Sequence, residues 1–486
     1  MSEAVAESRI DPHVWRIASV VMLGTIMSIL DTTIVNVALH TLQKDLDASL
    51  SQIQWVLTGY MLALAAVIPV TGWAARRFGQ KNVYLVSLVL FTLGSVLCGL
   101  ATSTTELIVF RVLQGFGGGM LLPIGQMMLA GAAGPSRMGR VMSIVAVPMM
   151  LAPIFGPTIG GLIVDNMSWR WIFYVNVPIG IAAVIASLRV LPRDHGLGKE
   201  PLDVRGFLLM ILGVPLLTYG IAEIGSTGKF ADPRVVVPVI AGIALITTFV
   251  FHALRAKRPL LDMRLYRYST FSSASMTMFF VGTAVFGSMI LLPLYWQEIR
   301  GQDALHTGLL TAPLGIGMAI VMPIAGKLTD RYGGGPLALI GVVVTTLATI
   351  PFGLIGAHTP IAYLAGVMVI RGMGLGFAFM PAMTAAYAAL KRSELTDAAP
   401  QLNIVQRIGG SIGTAILAVV LQRALVGAVT PADAAAAFGT AFWWSVGLTA
   451  VAVVPCLVLV RAERAARQSG AATPLPLADT LAESAA

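Results

Sequence analysis

Two charged side chains stand where the sequence is otherwise apolar. Asp31 interrupts the run SILDTTIVNVAL (28–39), and Arg111 opens RVLQGFGGG (111–119). A carboxylate inside a membrane-length apolar segment costs on the order of 2.5–3.5 kcal/mol by insertion scales, so residues kept there usually face a bundle interior and handle protons, ions or substrate. Buried carboxylates are suited to loading and releasing a proton near neutral pH. The competing reading of Asp31 is a hydrated acid near the outer interface, or a purely structural hydrogen-bond partner. It stands eight residues inside Leu39, roughly 12 Å at 1.5 Å per residue, which favours function.

Arg111 is the natural companion. It lies about four residues into the fourth apolar segment, roughly 6 Å, so both charges are expected at overlapping depth in the outer half of the membrane. Snorkelling to the interface is the alternative for such an arginine. Against it, Arg111, Gln114, Gly115 and Gly118 share one helix face whose small residues permit close contact. Asn36 is displaced from the Asp31 face, which suggests a helix-to-helix hydrogen bond. Gln297, after LLPLYW, is placed at the cavity or at the outer rim. Arg407 reads as a snorkelling residue just inside the thirteenth segment, or as a contact of the second gating loop.

Two further patterns read as mechanical. APIFGPTIGG (152–161) sets Pro153, Gly156, Pro157, Gly160 and Gly161 in one helix; proline bends it and the glycines admit a close neighbour. GWAARRFG (72–79) carries Gly72, Arg76, Arg77 and Gly79 in a tight turn. Its outline returns as GKLTDRYG (326–333), with Gly326, Asp330, Arg331 and Gly333, at an offset of 254. Both turns are candidates for conformational gating. Arg111 finds a weaker echo in Arg371, before GMGLG, at an offset of 260.

The elements that position these residues follow from composition. Of 486 residues, 57% are hydrophobic and 11% charged, against roughly a quarter charged in soluble domains. The apolar residues come in blocks of about 20, the pattern of an all-α polytopic membrane protein. The blocks are 17–39, 53–75, 82–102, 107–130, 139–164, 171–190, 206–226, 235–254, 272–296, 305–326, 335–355, 361–388, 403–424 and 438–460: fourteen transmembrane helices. The first is expected to remain in the mature protein, because no signal-peptide pattern precedes it.

An even number of spans puts both termini on one side. Of the 32 Lys and Arg, 23 then fall on that side and 6 on the other, with Arg111, Arg371 and Arg407 inside spans. That bias makes the terminal side cytoplasmic. The net charge of +9 thus reflects topology, and no nucleic-acid partner is expected. The offsets fit two six-helix halves with two extra helices between them. The expected organisation is a cytoplasmic N-terminus (1–16), a first bundle (17–190), a cytoplasmic loop (191–205), two additional helices (206–254), a second loop (255–271), a second bundle (272–460) and a disordered cytoplasmic tail (461–486). Cys98 and Cys456 both fall in spans and read as buried fillers. The six histidines are scattered and form no ligand cluster, so no metal is expected. GFGGGM lacks the ending of a phosphate loop.

In order, LDTTIVNVAL, QWVLTGYMLALAAVIP, RVLQGFGGG, GPTIGG, SWRWIFYVNVPIG, LDVRG and GLLTAPLGIGMAIVMPIAGKLTDRYG resemble the major facilitator superfamily, specifically its fourteen-helix drug:proton antiporter branch. The resemblance covers about 17–460. It implies a carrier, not an enzyme, with no cofactor, driven by a proton gradient. It further implies alternating access in a bacterial cytoplasmic membrane and export of an amphipathic or cationic small molecule. The implied partners are protons, substrate and the lipid bilayer, joined in a two-membrane bacterium by a periplasmic adaptor and an outer-membrane channel. By this resemblance Asp31 and Arg111 couple protons, residues 153–161 form the antiporter motif and the two turns gate. One departure stands out: Arg76 replaces the aspartate usual in the first turn, while Asp330 retains it in the second. A rival reading sharing every motif is a proton-driven exporter of one metabolite, siderophore or self-made antibiotic.

Overall fold

In hydrocarbon an apolar segment must satisfy its own backbone N–H and C=O groups, and a helix does so within one segment. The computed structural model describes residues 11–468 except 135, 136, 193, 195, 197 and 199, and it is helical throughout, with no strand among the described residues. The long helices are α1 (Pro12–Asp45), α2 (Leu50–Val67, continued by Thr71–Phe78), α3 (Gln80–Leu100), α4 (Thr104–Ala133), α5 (Met138–Asn166) and α6 (Trp171–Tyr174 and Asn176–Val190). Then come α7 (Val204–Thr227), α8 (Pro233–Arg255), α9 (Ser269–Leu294), α10 (Ala304–Tyr332), α11 (Gly334–Gly353), α12 (Ile361–Ala388), α13 (Leu395–Leu425) and α14 (Pro431–Val451 and Val453–Gln468). Among the described residues, thirteen spans are long and apolar enough to cross a membrane. The 29-residue α5, part of whose side chains lie outside the described residues, is the fourteenth long helix.

Helices α1–α6 pack on one another, chiefly as α3 on α4, α2 on α4 and α1 on α5. Helices α9–α14 do likewise, through α11 on α12, α10 on α12 and α9 on α13. The two groups meet where α5 runs along α10 and where α2 meets α13, while the α7–α8 pair lies against α2 and α13 through α7.

Several helices outrun the sequence expectation. Helix α1 continues to Asp45. Helix α14 continues to Gln468, so residues 461–468 are helical and not part of a disordered tail. The reason lies far away in sequence: the Glu463 carboxylate accepts from the backbone N–H of Gly334 (3.0 Å) and Gly335 (2.7 Å) at the start of α11. An anion at a helix N-terminus meets both free donors and the helix dipole. The rest of the expected tail, residues 469–486, lies outside the described residues, as do residues 1–10. Helix α13 begins at Leu395, eight residues before its expected start. Arg407 is therefore twelve residues into the helix, in its fourth turn.

The turns between α2 and α3 and between α10 and α11 each pivot on one glycine, Gly79 (φ 84°, ψ 147°) and Gly333 (φ 95°, ψ 164°). A side chain is strained in that region, by about 1–3 kcal/mol. A Cβ on Gly79 would also meet the Asp194 carbonyl at 2.6 Å. Gly79→Ala is expected to lower the thermal unfolding midpoint in detergent by an amount matching at least that strain, and an unchanged midpoint would contradict the turn geometry.

Candidate functional site

Asp31 is fully buried near the middle of α1, and α4 brings Arg111 to it at 2.6 Å. The ion pair is embedded in amides and hydroxyls. The Asp31 carboxylate accepts from Arg111 Nη1 through Oδ2, and through Oδ1 from Gln114 Nε2 (2.8 Å) and Asn176 Nδ2 (2.9 Å). Arg111 Nη1 also donates to Gln114 Oε1 (2.7 Å), and its Nε reaches the Val56 carbonyl (3.3 Å). Ser95 on α3 accepts from both amides, at 2.6 Å from Gln114 and 3.3 Å from Asn176. Below the guanidinium lies the Tyr60 ring, 4.0 Å from Cζ to centroid. Removal of one partner from such a buried pair leaves an uncompensated charge, whereas charge-assisted bonds from several donors hold it in place.

Sequence reasoning expected Asp31, Arg111 and Gln114 together and missed Asn176, Ser95 and Tyr60. The available signal was a buried amide in YVNVPIG and a hydroxyl on α3. Asn36 is exposed, not packed between helices, and Gln297 is exposed on the π-helical turn Tyr295–Ile299 after α9. Gly115 and Gly118 are buried. A Cβ on Gly115 would meet the Tyr60 carbonyl at 2.7 Å, and one on Gly118 the Tyr60 hydroxyl at 3.0 Å, so these glycines let α4 close on α2. On α5, Gly156 lies against Thr33 and Gly160 against Ile34, directly beside Asp31 along α1, while Gly161 faces open space. The side chains of Pro153 and Pro157 lie outside the described residues.

Polar contacts between the α1–α6 and α9–α14 groups gather at the face that carries both chain ends. Asp330 Oδ1, on α10, accepts from the Gly139 N–H at the start of α5 (3.0 Å), and Arg140 Nε stands 3.9 Å from Oδ2. Arg76, on α2, donates through Nη1 to Asp397 in the first turn of α13 (2.7 Å) and through Nε to Glu200 (3.0 Å). Gly72 and Gly326 allow the close approach: a Cβ on Gly72 would strike the Thr396 carbonyl, and one on Gly326 the Gly139 carbonyl. Arg77 Nη1 donates to the Glu200 carbonyl (2.7 Å), and Arg331 stacks on Tyr332 while remaining exposed. One layer inward, Gln126 Oε1 on α4 accepts from Asn403 (2.7 Å) on α13 and from Tyr387 (3.3 Å) on α12.

The repeat is real in its contacts, but its register in α12 differs from the sequence reading. A Cβ on Gly117 would meet Ser87 and Phe91, and one on Gly374 would meet Gly341 and Thr345. Gly119 likewise meets Leu64 and Val67, and Gly376 meets Met318 and Val321. These pairs set α4 against α12 at an offset of 257, not 260. Arg371 thus occupies the place of Gln114 and is not the counterpart of Arg111.

A model of the family described as the Major Facilitator Superfamily matches residues 21–414. Over 416 residues the chain is 40% identical to the multidrug resistance protein B homolog of Mycobacterium tuberculosis, covering 85% of this chain and 77% of that one. It is 32% identical over 397 residues to the multidrug export protein EmrB of Haemophilus influenzae, covering 81% and 78%. The solved structure of the human organic anion transporter MFSD10 aligns with a TM-score of 0.65 over 93% of this chain and 100% of its own, at 14% identity, a likeness of fold alone.

Two mutational cycles follow from this geometry. Asp31→Asn and Arg111→Gln should each destabilise the protein by about 3–5 kcal/mol, the range for breaking a buried pair; the double variant should lose less than the two losses combined, read by thermal unfolding. Simple additivity would show that the pair is not coupled. At the terminal face, Arg76→Asp should speed amide exchange at the ends of α2 and α13, and adding Asp397→Arg should slow it again. Equal exchange in single and double variants would show that the Arg76–Asp397 contact does not hold these helix ends together.

Proposed function

The chain belongs to the Major Facilitator Superfamily, whose members are carriers and not enzymes, and we propose that it is a proton-coupled antiporter exporting amphipathic compounds by alternating access. One observation carries the reading: a buried carboxylate is held by an arginine, two amides and, through them, a serine. An ionised Asp31 satisfies every donor pointed at it. A protonated Asp31 would offer an O–H to an environment of donors and release Arg111. Proton and arginine thus compete for one carboxylate, which is what coupling requires: two states of α1 against α4, each favoured by a different ligand.

The proposed moving bodies are the α1–α6 and α9–α14 groups. Their polar contacts at the terminal face, Arg76–Asp397 and Asp330–Gly139, would hold that face closed, with the opposite face open to the outside. The excess of Lys and Arg on the terminal side supports a cytoplasmic location for that side. Gly156 and Gly160 would let α1 slide on α5 beside Asp31. Proton entry from outside would favour the inward state, and binding of substrate would favour return. A bacterial cytoplasmic membrane and a multidrug role are supported by similarity to the M. tuberculosis and H. influenzae proteins, both of which carry multidrug names.

The test is efflux in reconstituted vesicles under an imposed pH gradient, across a chemically diverse dye and drug panel. Wild type should move several amphipathic compounds only when the gradient is present. Asp31→Asn should lose gradient-driven transport while its gel-filtration profile stays intact. Undiminished gradient-driven efflux in that variant would remove Asp31 from the mechanism. Transport of a single compound in the panel would favour the specific-metabolite exporter.

A further inference from the structure

Arg371 is the second arginine fully buried in the membrane region, and its surroundings differ from those of Arg111 in one respect. Its Nε donates to Thr349 Oγ1 at 3.0 Å, but Nη1 and Nη2 are buried without a hydrogen-bond partner. Among the described residues it makes no ion pair. By contrast Arg111, equally buried, has Asp31.

The repeated contacts show what the second group kept and what it lost. Arg371 stands at the place of Gln114, and Thr349 at that of Ser95, which accepts from Gln114. Gly99 lies against Tyr174 and Gly353 against Trp443, which sets Ser445 at the place of Asn176. The hydroxyl of Ser445 is also buried and unpartnered. Gly156 lies against Thr33 and Gly413 against Thr283; the place of Asp31 is then taken by Val281, which is apolar and buried. The polar scaffold survives, a cation has been added, and the acid is gone.

We propose that Arg371 binds a small inorganic anion of chloride size. A guanidinium in a low-dielectric interior requires an opposite charge, and among the described residues no carboxylate supplies one. Its two Nη groups form the planar edge that meets anions. The Phe352 ring centroid lies 6.0 Å from Arg371 Cζ, and Phe352 packs with Leu364, Val367, Met368 and Phe442 in one buried apolar cluster, surroundings that suit a small monovalent anion better than a large polar one. Entry would come from the face opposite the chain ends, since Thr349 is four residues from the end of α11 at Gly353. This site is separate from Asp31 and does not depend on the transport reading.

The purified full chain in detergent tests the proposal at constant ionic strength. Chloride and bromide should raise the melting temperature saturably, and gluconate should not. Arg371→Gln, which installs the first group's residue, should abolish the whole halide-dependent rise. Bromide-soaked crystals of wild type should show an anomalous peak against the Nη atoms of Arg371, a measurement that stands even where the variant fails to fold. No halide-specific rise in wild type, a full rise in Arg371→Gln, or no bromide peak at Arg371 would each overturn the proposal.

Discussion

A carboxylate and a guanidinium 2.6 Å apart, neither touching solvent, constrain five of the first six helices together. The acid comes from α1, the cation and one amide from α4, the second amide from α6, the shared hydroxyl from α3, and the ring beneath from α2. Five helices must hold their mutual depth and rotation for the carboxylate to be satisfied. Such a network is stable only while complete, because each missing partner leaves a desolvated polar group. That is why a rigid group of helices can also be a sensitive one. One proton on Asp31 would alter the terms on which α1 meets four neighbours.

The terminal face shows the same two-fold plan with its signs reversed. Asp330 on α10 faces Arg140 on α5, and Arg76 on α2 faces Asp397 on α13. The departure at Arg76 therefore leaves an ion pair between the two groups; its acid is Asp397 in the first turn of α13, where negative charge also suits the helix dipole. Glu200, from the segment before α7, adds a second carboxylate to the same arginine. The connection to the inserted helices is thus tied to the terminal face.

Much of this was legible from residue type and spacing. Fourteen apolar blocks named the helices, and a lone acid and a lone base at similar depth named the pair. Asn176 and Ser95 escaped notice because one amide or hydroxyl in a span more often bonds its own backbone. Arg371 was misaligned because like residues were matched, whereas the register is set by glycines at helix contacts such as Gly117 and Gly374. Helix ends were misjudged where the cap is remote: nothing near residue 461 announces that Glu463 will meet Gly334. Asp397 lies 321 positions from Arg76, so no local pattern could have joined them.

The inserted pair makes the two edges of the seam unlike. Helix α7 spans the junction of α2 and α13 along its length: Met210 and Val214 pack with Ala65, Ile68 and Ile404. Further along α7, Tyr219 stacks on Trp55, and Gln422 donates to the Gly225 carbonyl. The seam between the two large groups therefore has unlike edges, one bordered by α5 and α10 alone and the other shuttered by α7. Of the two edges, one is thus a direct contact of α5 with α10, and the other is screened by a third helix laid across α2 and α13.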